Sequence, residues 1–189
     1  MSDGQTPLHH AAMNGNIEAA QQLVAEGADV RAINMYSQTP LHYASRYRHI
    51  ELVKLFIEKG ADINAKSSDG STPLHYASAN GNTVIVKLLI EKGADIRAKN
   101  SAGHTASHEA KSMKRGEVVK VLKLAKEQRD AAKEAKKKSK HHSHPNPTTP
   151  TGGKKTRRKK RTRKSNKSRK SKKTQHKKHR KNSIRTRRR

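Results

Sequence analysis

The sequence predicts an all-α solenoid, in which short helix pairs stack side by side through hairpin loops, followed by a long C-terminal helix and a disordered tail. Three observations carry that prediction. The residues Thr-Pro-Leu-His occur at Thr6–His9, Thr39–His42 and Thr72–His75, and a worn copy, Thr105-Ala106-Ser107-His108, follows at the same 33-residue interval. A fixed period of that length marks a stacked-repeat architecture. Each copy opens two short segments with helix start and stop signals. Charge divides the chain as well: residues 1–122 hold 14 Lys and Arg against 12 Asp and Glu, whereas 123–189 hold 30 against 3. The near-neutral part has the apolar residues to build a core, and the polycation does not.

Within each unit Thr stands at a helix N-cap. Pro follows in the first turn, where its missing N–H would be unpaired anyway. First helices are expected over Pro7–Asn14, Pro40–Tyr47 and Pro73–Asn80. Gly15 and Gly81 break them. Arg48 holds that place in the second unit, so either the turn takes another form there or Arg48 adopts a left-handed conformation. More apolar second helices are expected over Ile17–Glu26, Ile50–Lys59 and Thr83–Lys92, with apolar residues at helical spacing, as in Leu52, Val53, Leu55 and Phe56. Gly27, Gly60 and Gly93 stop them at the left-handed position after the last turn. Ala19-Ala20-Gln21-Gln22 is smaller and more polar than its counterparts, as suits the outer face of a terminal repeat. In the fourth unit Gly116 arrives two positions late, and Val118, Val119, Val121 and Leu122 keep an inward stripe. No glycine ends that last helix. Helix formers run on to about residue 138, predicting a charged helix that projects from the stack and frays.

This divides the chain into a repeat domain over 1–125 (repeats at about 3–35, 36–68, 69–101 and 102–125), a projecting helix over 126–140, a His/Pro/Gly linker over 141–153 and a polybasic tail over 154–189. Thr-Pro-Leu-His at the head, Gly between the helices, Val53-Lys54-Leu55 and Val86-Lys87-Leu88 in the second helices, and Gly-Ala-Asp at their ends fall in register. In these motifs the sequence resembles the ankyrin repeat family over roughly residues 3–125, with three clear repeats and one degenerate one.

The resemblance implies a monomeric, non-enzymatic adaptor that binds a protein through hairpin tips and the inner face of its first helices. Carried over by position, that surface comprises Met35, Tyr36, Arg46 and Tyr47, then Ser68, Asp69 and Asn80, with Ile33, Gln38, Ser71 and His104 at neighbouring places. Met, Tyr and Arg are enriched at interface hot spots, so the first set stands out. The plainer alternative is that Met35 and Tyr36 pack on the next hairpin. Tyr43 and Tyr76 are expected to be packing residues. The Thr/His pairs Thr6/His9, Thr39/His42, Thr72/His75 and Thr105/His108 are expected to be structural hydrogen-bonded pairs, because they follow the repeat rather than converge on one point.

Catalysis finds no support. The chain has no Cys, no Gly-rich phosphate loop and no strand–nucleophile–helix turn. No cofactor is implied and no metal site is assigned. His141, His142 and His144 lie on a linker without preorganised geometry. No run of eighteen apolar residues suggests a membrane span, and the N-terminus has no signal-peptide pattern, so secretion is not expected.

The tail carries 22 Lys and Arg in its 36 residues and no acid. Lys154, Lys155, Arg157, Arg158, Lys159, Lys160, Arg161 and Arg163 match a basic nuclear-localisation cluster, which makes the nucleus the expected location and the cytoplasm the alternative. The same composition suits nonspecific binding of DNA, RNA or another polyanion through phosphates. With no aromatic residue after 153, base stacking is not available to it. Anionic membrane is a rival target, though no apolar face or lipidation signal assists. Ser165, Ser168, Ser171 and Ser183 sit among basic residues as candidate phosphorylation sites, or as chance serines in a biased segment. A second function follows from the tail: a polyanion binder in which the repeats are the scaffold.

Overall fold

The computed structural model describes residues 3–140, with side chains through Ala135. The helices are α1 (Pro7–Asn14), α2 (Ile17–Ala25), α3 (Pro40–Tyr47), α4 (Ile50–Glu58), α5 (Pro73–Ala79), α6 (Thr83–Glu91), α7 (Ala106–Ser112) and α8 (Gly116–Lys140). Among the described residues the only β pairing is an isolated antiparallel bridge between Lys99 and Thr105. The predicted linker over 141–153, with His141, His142 and His144, and the polybasic tail over 154–189 lie outside the described residues.

Helices α1, α3, α5 and α7 pack in sequence as an inner row, and α2, α4, α6 and α8 form an outer row behind them. Seven of the eight are only 7–9 residues long. Isolated helices that short are marginal in water, so stacking supplies their stability. The repeated Leu8, Leu41 and Leu74 are fully buried, and so are Leu52, Val53 and Phe56 in α4 and Ile85, Val86 and Leu89 in α6. In α2 only Ala20 is buried, which leaves Gln21 and Gln22 on an exposed end face. At the other end Val118 and Leu122 close the core.

The repeated His is a brace within and between repeats. In repeat two the Thr39 amide donates to His42 Nδ1 at 3.0 Å, and the Thr39 hydroxyl lies 2.9 Å from the same nitrogen. His42 Nε2 donates to the Ser71 carbonyl of the next repeat at 3.2 Å. His9 reaches the Gln38 carbonyl and His75 the His104 carbonyl in the same way. An amide donor on Nδ1 requires a lone pair there, which fixes a neutral ring with its proton on Nε2. The fourth pair departs from this. His108 is exposed, and only its backbone amide reaches the Thr105 hydroxyl, at 3.4 Å. Repeat four is followed by more of α8 rather than by another hairpin, so the carbonyl that receives the other histidines has no counterpart.

The break between the two helices of a repeat needs a left-handed residue. Gly15, Arg48, Gly81 and Lys114 take it, with φ of 75°, 71°, 76° and 55°. This settles Arg48 in favour of the left-handed conformation and shows that Lys114, not Gly116, is the fourth equivalent. What stands above each position explains the choice of residue. A Cβ on Gly15 would lie 2.4 Å from the His49 ring, and one on Gly81 would lie 2.9 Å from the Arg115 side chain. His49 and Arg115 lean over these glycines to donate to the carbonyls of Met13 and Ala79. Above Arg48 the counterpart is the smaller Asn82, which bonds the Ser45 carbonyl at 2.8 Å. Among the described residues no further repeat stands above Lys114.

The expected projecting helix over 126–140 needs correction in its first turn and a half. Arg129 donates to the carbonyls of Ala94 at 3.0 Å and Ile90 at 3.3 Å, at the C-terminal end of α6, where a cation is favoured. Asp130 pairs with Arg97. The helix is therefore tied to repeat three through Asp130, because two side chains on one turn find partners that its overall polarity conceals.

Candidate protein-binding surface

The hairpins that join repeats form a backbone ladder. Met35 donates its amide to the Asp3 carbonyl, Ser68 to Tyr36 and Ser101 to Asp69, at 3.1, 2.9 and 2.8 Å. At the tips these contacts are made by main chain, and the Met35 and Tyr36 side chains stay outside. Met35 is 65% exposed, Tyr36 52% and Ile33 60%. The alternative in which Met35 and Tyr36 pack on the neighbouring hairpin is answered in part: their backbones are held and their side chains are solvated.

Tyr43 connects this tip to the far end of α3. Its hydroxyl accepts from Asn34 Nδ2 at 2.9 Å, its ring meets His9 edge-on, and Tyr47 stacks on it with centroids 6.4 Å apart. Burial raises the Tyr43 pKa, working against hydrogen bonding from Asn34, so the phenol stays neutral. Tyr76 is a packing residue of the same kind, accepting from Gln38 Nε2 at 2.8 Å and meeting His42 edge-on. Arg46 lies 5.6 Å above the Tyr47 ring, a cation–π distance. Repeat two thus presents Met35 and Tyr36 at one end of α3 and Arg46 and Tyr47 at the other, about 12 Å apart for an eight-residue helix. Exposed aromatic, Met and Arg side chains on one rigid repeat suit an apolar, desolvating contact.

Repeat three is different. Ser68, Asp69 and Asn80 are exposed, but Asp69 is occupied within its own loop. It accepts from Ser67 and from the Ser71 amide and hydroxyl. Partial burial opposes the charged form, yet these hydrogen bonds together hold the Asp69 carboxyl below its ordinary range. Ser71 itself is buried and belongs to the brace, as does Gln38. Asn80 turns its amide back to the Tyr76 carbonyl at 3.1 Å. The repeat-three residues therefore serve the turn first, and repeat two holds the surface with freely projecting apolar groups.

A second feature was not foreseen in the sequence. Beside α7 and α8 lies a groove of about 760 Å³ with Ile96, Val119 and Leu122 in its floor and Arg97, Lys99, Lys111, Lys123 and Lys126 around it, against one carboxylate, Asp130. These bases are scattered through the sequence at ordinary density, and only the end of the stack brings them together. Lys154, Lys155, Arg157, Arg158, Lys159, Lys160, Arg161, Arg163 and the candidate serines Ser165, Ser168, Ser171 and Ser183 lie outside the described residues. Among the described residues no helix is long and apolar enough to cross a membrane.

A family model described as ankyrin repeats in three copies matches residues 1–67 and 64–133. No curated protein matches the chain.

Proposed function

The chain belongs to the ankyrin repeat family of protein–protein interaction modules, and on that premise we propose that it is a non-enzymatic adaptor whose repeat two grips a protein partner while its basic tail directs it to the nucleus or to nucleic acid. The observation that carries the first half is the exposure of Met35, Tyr36 and Tyr47 on a backbone held rigid from both sides. A rigid tip gives up little conformational freedom on binding, so the burial of these side chains is not offset by ordering. The test is proximity capture with the full chain, comparing wild type with Tyr36→Ala and Tyr47→Ala combined. A partner captured by wild type should lose about 30-fold or more in affinity for the variant, since even one of the two hot-spot tyrosines contributes about 2 kcal/mol or more. Equal capture by both proteins refutes the assignment of the surface.

The tail half rests on composition, 22 bases in 36 residues without an acid. Contact with ~8 phosphates gives a log–log salt slope of about −7. Truncation after Gly153 should remove nuclear accumulation and nucleic-acid binding together, and retention of both would end this reading. The basic groove beside α7 and α8 favours a second reading, in which the whole molecule is a polyanion binder. That reading requires residual, weaker binding after truncation, lost again on Lys123→Ala and Lys126→Ala.

A further inference from the structure

We propose that His104, His108 and Glu109 form a binding site for a divalent transition metal of the zinc type. Their ligand atoms all lie within 4.8 Å of one another. His104 Nδ1 and Glu109 Oε1 are 3.1 Å apart, and the rings of His104 and His108 stack with centroids at 3.8 Å. Two His nitrogens and a carboxylate oxygen at about 2.0–2.2 Å from one tetrahedral ion stand about 3.3 Å from each other; an imidazole lone pair lies in its ring plane, so the exposed His108 ring must turn out of its stack on His104 for all three to meet on a common centre. A fourth position stays open to water.

The repeat pattern shows that this cluster is not the ordinary furniture of the fold. At the place of His104, repeats two and three carry Gln38 and Ser71. At the place of Glu109 they carry Tyr43 and Tyr76. At the place of His108 they carry His42 and His75, which are buried and spent on the next repeat, whereas His108 is exposed and faces His104. Three positions of repeat four thus depart together, in sequence or in placement, and all three supply groups that zinc prefers. Asn100 already holds the Glu109 carboxylate and the backbone of His104. Its Oδ1 accepts from the His104 amide at 2.9 Å, and its Nδ2 donates to Glu109 Oε1 at 3.1 Å. In repeat two the same Asn contact goes from Asn34 to the Tyr43 hydroxyl, so the support is inherited from the fold and the ligands are what changed. Outer partners that orient ligands in this way tune affinity by about 10–100-fold. On binding, the ring proton of neutral His104 moves from Nδ1 to Nε2 and the Nδ1 lone pair turns to the ion; no net charge beyond that of the metal is added.

The test is calorimetric titration of the full chain with Zn2+ in a background carrying His141→Ser, His142→Ser and His144→Ser, which removes the histidine tract of the linker. One saturable equivalent is expected, with affinity lowered at least about 10-fold by His108→Ala and by Glu109→Tyr. His108 is exposed, and Glu109→Tyr restores the residue type of repeats two and three, so neither change threatens the fold; circular dichroism checks this. Zn2+ should also raise the unfolding midpoint of the parent and not of either variant. If no saturable equivalent is found, or if both variants bind as the parent does, the site is refuted.

Discussion

Burial of the repeated histidines makes acid the most direct probe of the stack. Burial, opposed by hydrogen bonding to the Ser71 carbonyl, lowers the His42 pKa from 6.5 to about 4. His9 and His75 are shifted the same way, with burial again the largest cause. The folded state therefore prefers the neutral ring. Above pH 6.5 both states are neutral and nothing is lost. As pH falls from 6.5 towards 4 the unfolded chain takes up a proton that folded His42 refuses, so stability declines; below about 4 both states are protonated and the decline stops. The gap of about 2.5 units corresponds to about 3 kcal/mol in full, and to about 2 kcal/mol by about pH 5. Marginal domains hold about 5–15 kcal/mol, so His42 alone is a large share. The Asp69 carboxyl, held low by its loop, is lost only at more acid pH and does not blur this window. Urea unfolding of the full chain between about pH 7 and about pH 5 measures the effect. His42→Gln, neutral throughout, should be less stable at neutral pH yet flatter in its pH dependence by about one proton. A wild-type stability that stays level across the window, or an equal slope in His42→Gln, would sink the neutral-brace argument.

Three further outcomes follow from the backbone and the outer row. Arg48→Gly should stabilise the protein by about 1 kcal/mol, because it removes the left-handed penalty at φ 71° and gives back only part of it as chain entropy; denaturant midpoints check it. Gly15→Ala should cost about 2 kcal/mol, since its Cβ would strike the His49 ring, and His49→Ala should relieve part of that loss in a double-mutant cycle. Arg129→Ala should destabilise the docking of α8 by about 1 kcal/mol, seen as faster amide exchange beyond Lys126 with little change in α3 and α5.

The fold was legible because the period exposes it. Thr6, Thr39, Thr72 and Thr105 mark every inner-helix start, Gly27, Gly60 and Gly93 mark outer-helix ends, and the apolar runs between them leave few other ways to bury Leu41 or Phe56. What escaped was contact across the period. The tie of Arg129 to Ala94 spans 35 residues, and helix propensity carries no trace of it. In the sequence Gly116 draws the eye away from Lys114, because glycine advertises a left-handed position and lysine does not. That glycine is dispensable there follows only from seeing that, among the described residues, no repeat stacks above it.

The site was harder to read for the reason that made the fold easy. Stacking imposes the same demand every 33 residues, so whatever recurs with that spacing is already explained by the core, the ladder of hairpins or the histidine brace. Binding chemistry must then lie where a position breaks step without a packing reason. Tyr36 breaks step: its counterparts Asp3, Asp69 and Ala102 meet the same backbone ladder, and nothing in that ladder asks for an exposed aromatic. Arg46 with Tyr47 breaks step against Ala79 with Asn80. Glu109 breaks step against Tyr43 and Tyr76 while keeping the asparagine hydrogen bond that Tyr43 makes. Arg48 also departs, but the smaller Asn82 above it supplies the packing reason, so it carries no functional claim. Sorting departures by whether the neighbouring repeat accounts for them leaves two places on the described residues, the face of repeat two and the His/Glu corner of repeat four. These are the positions where substitution should change binding more than it changes stability.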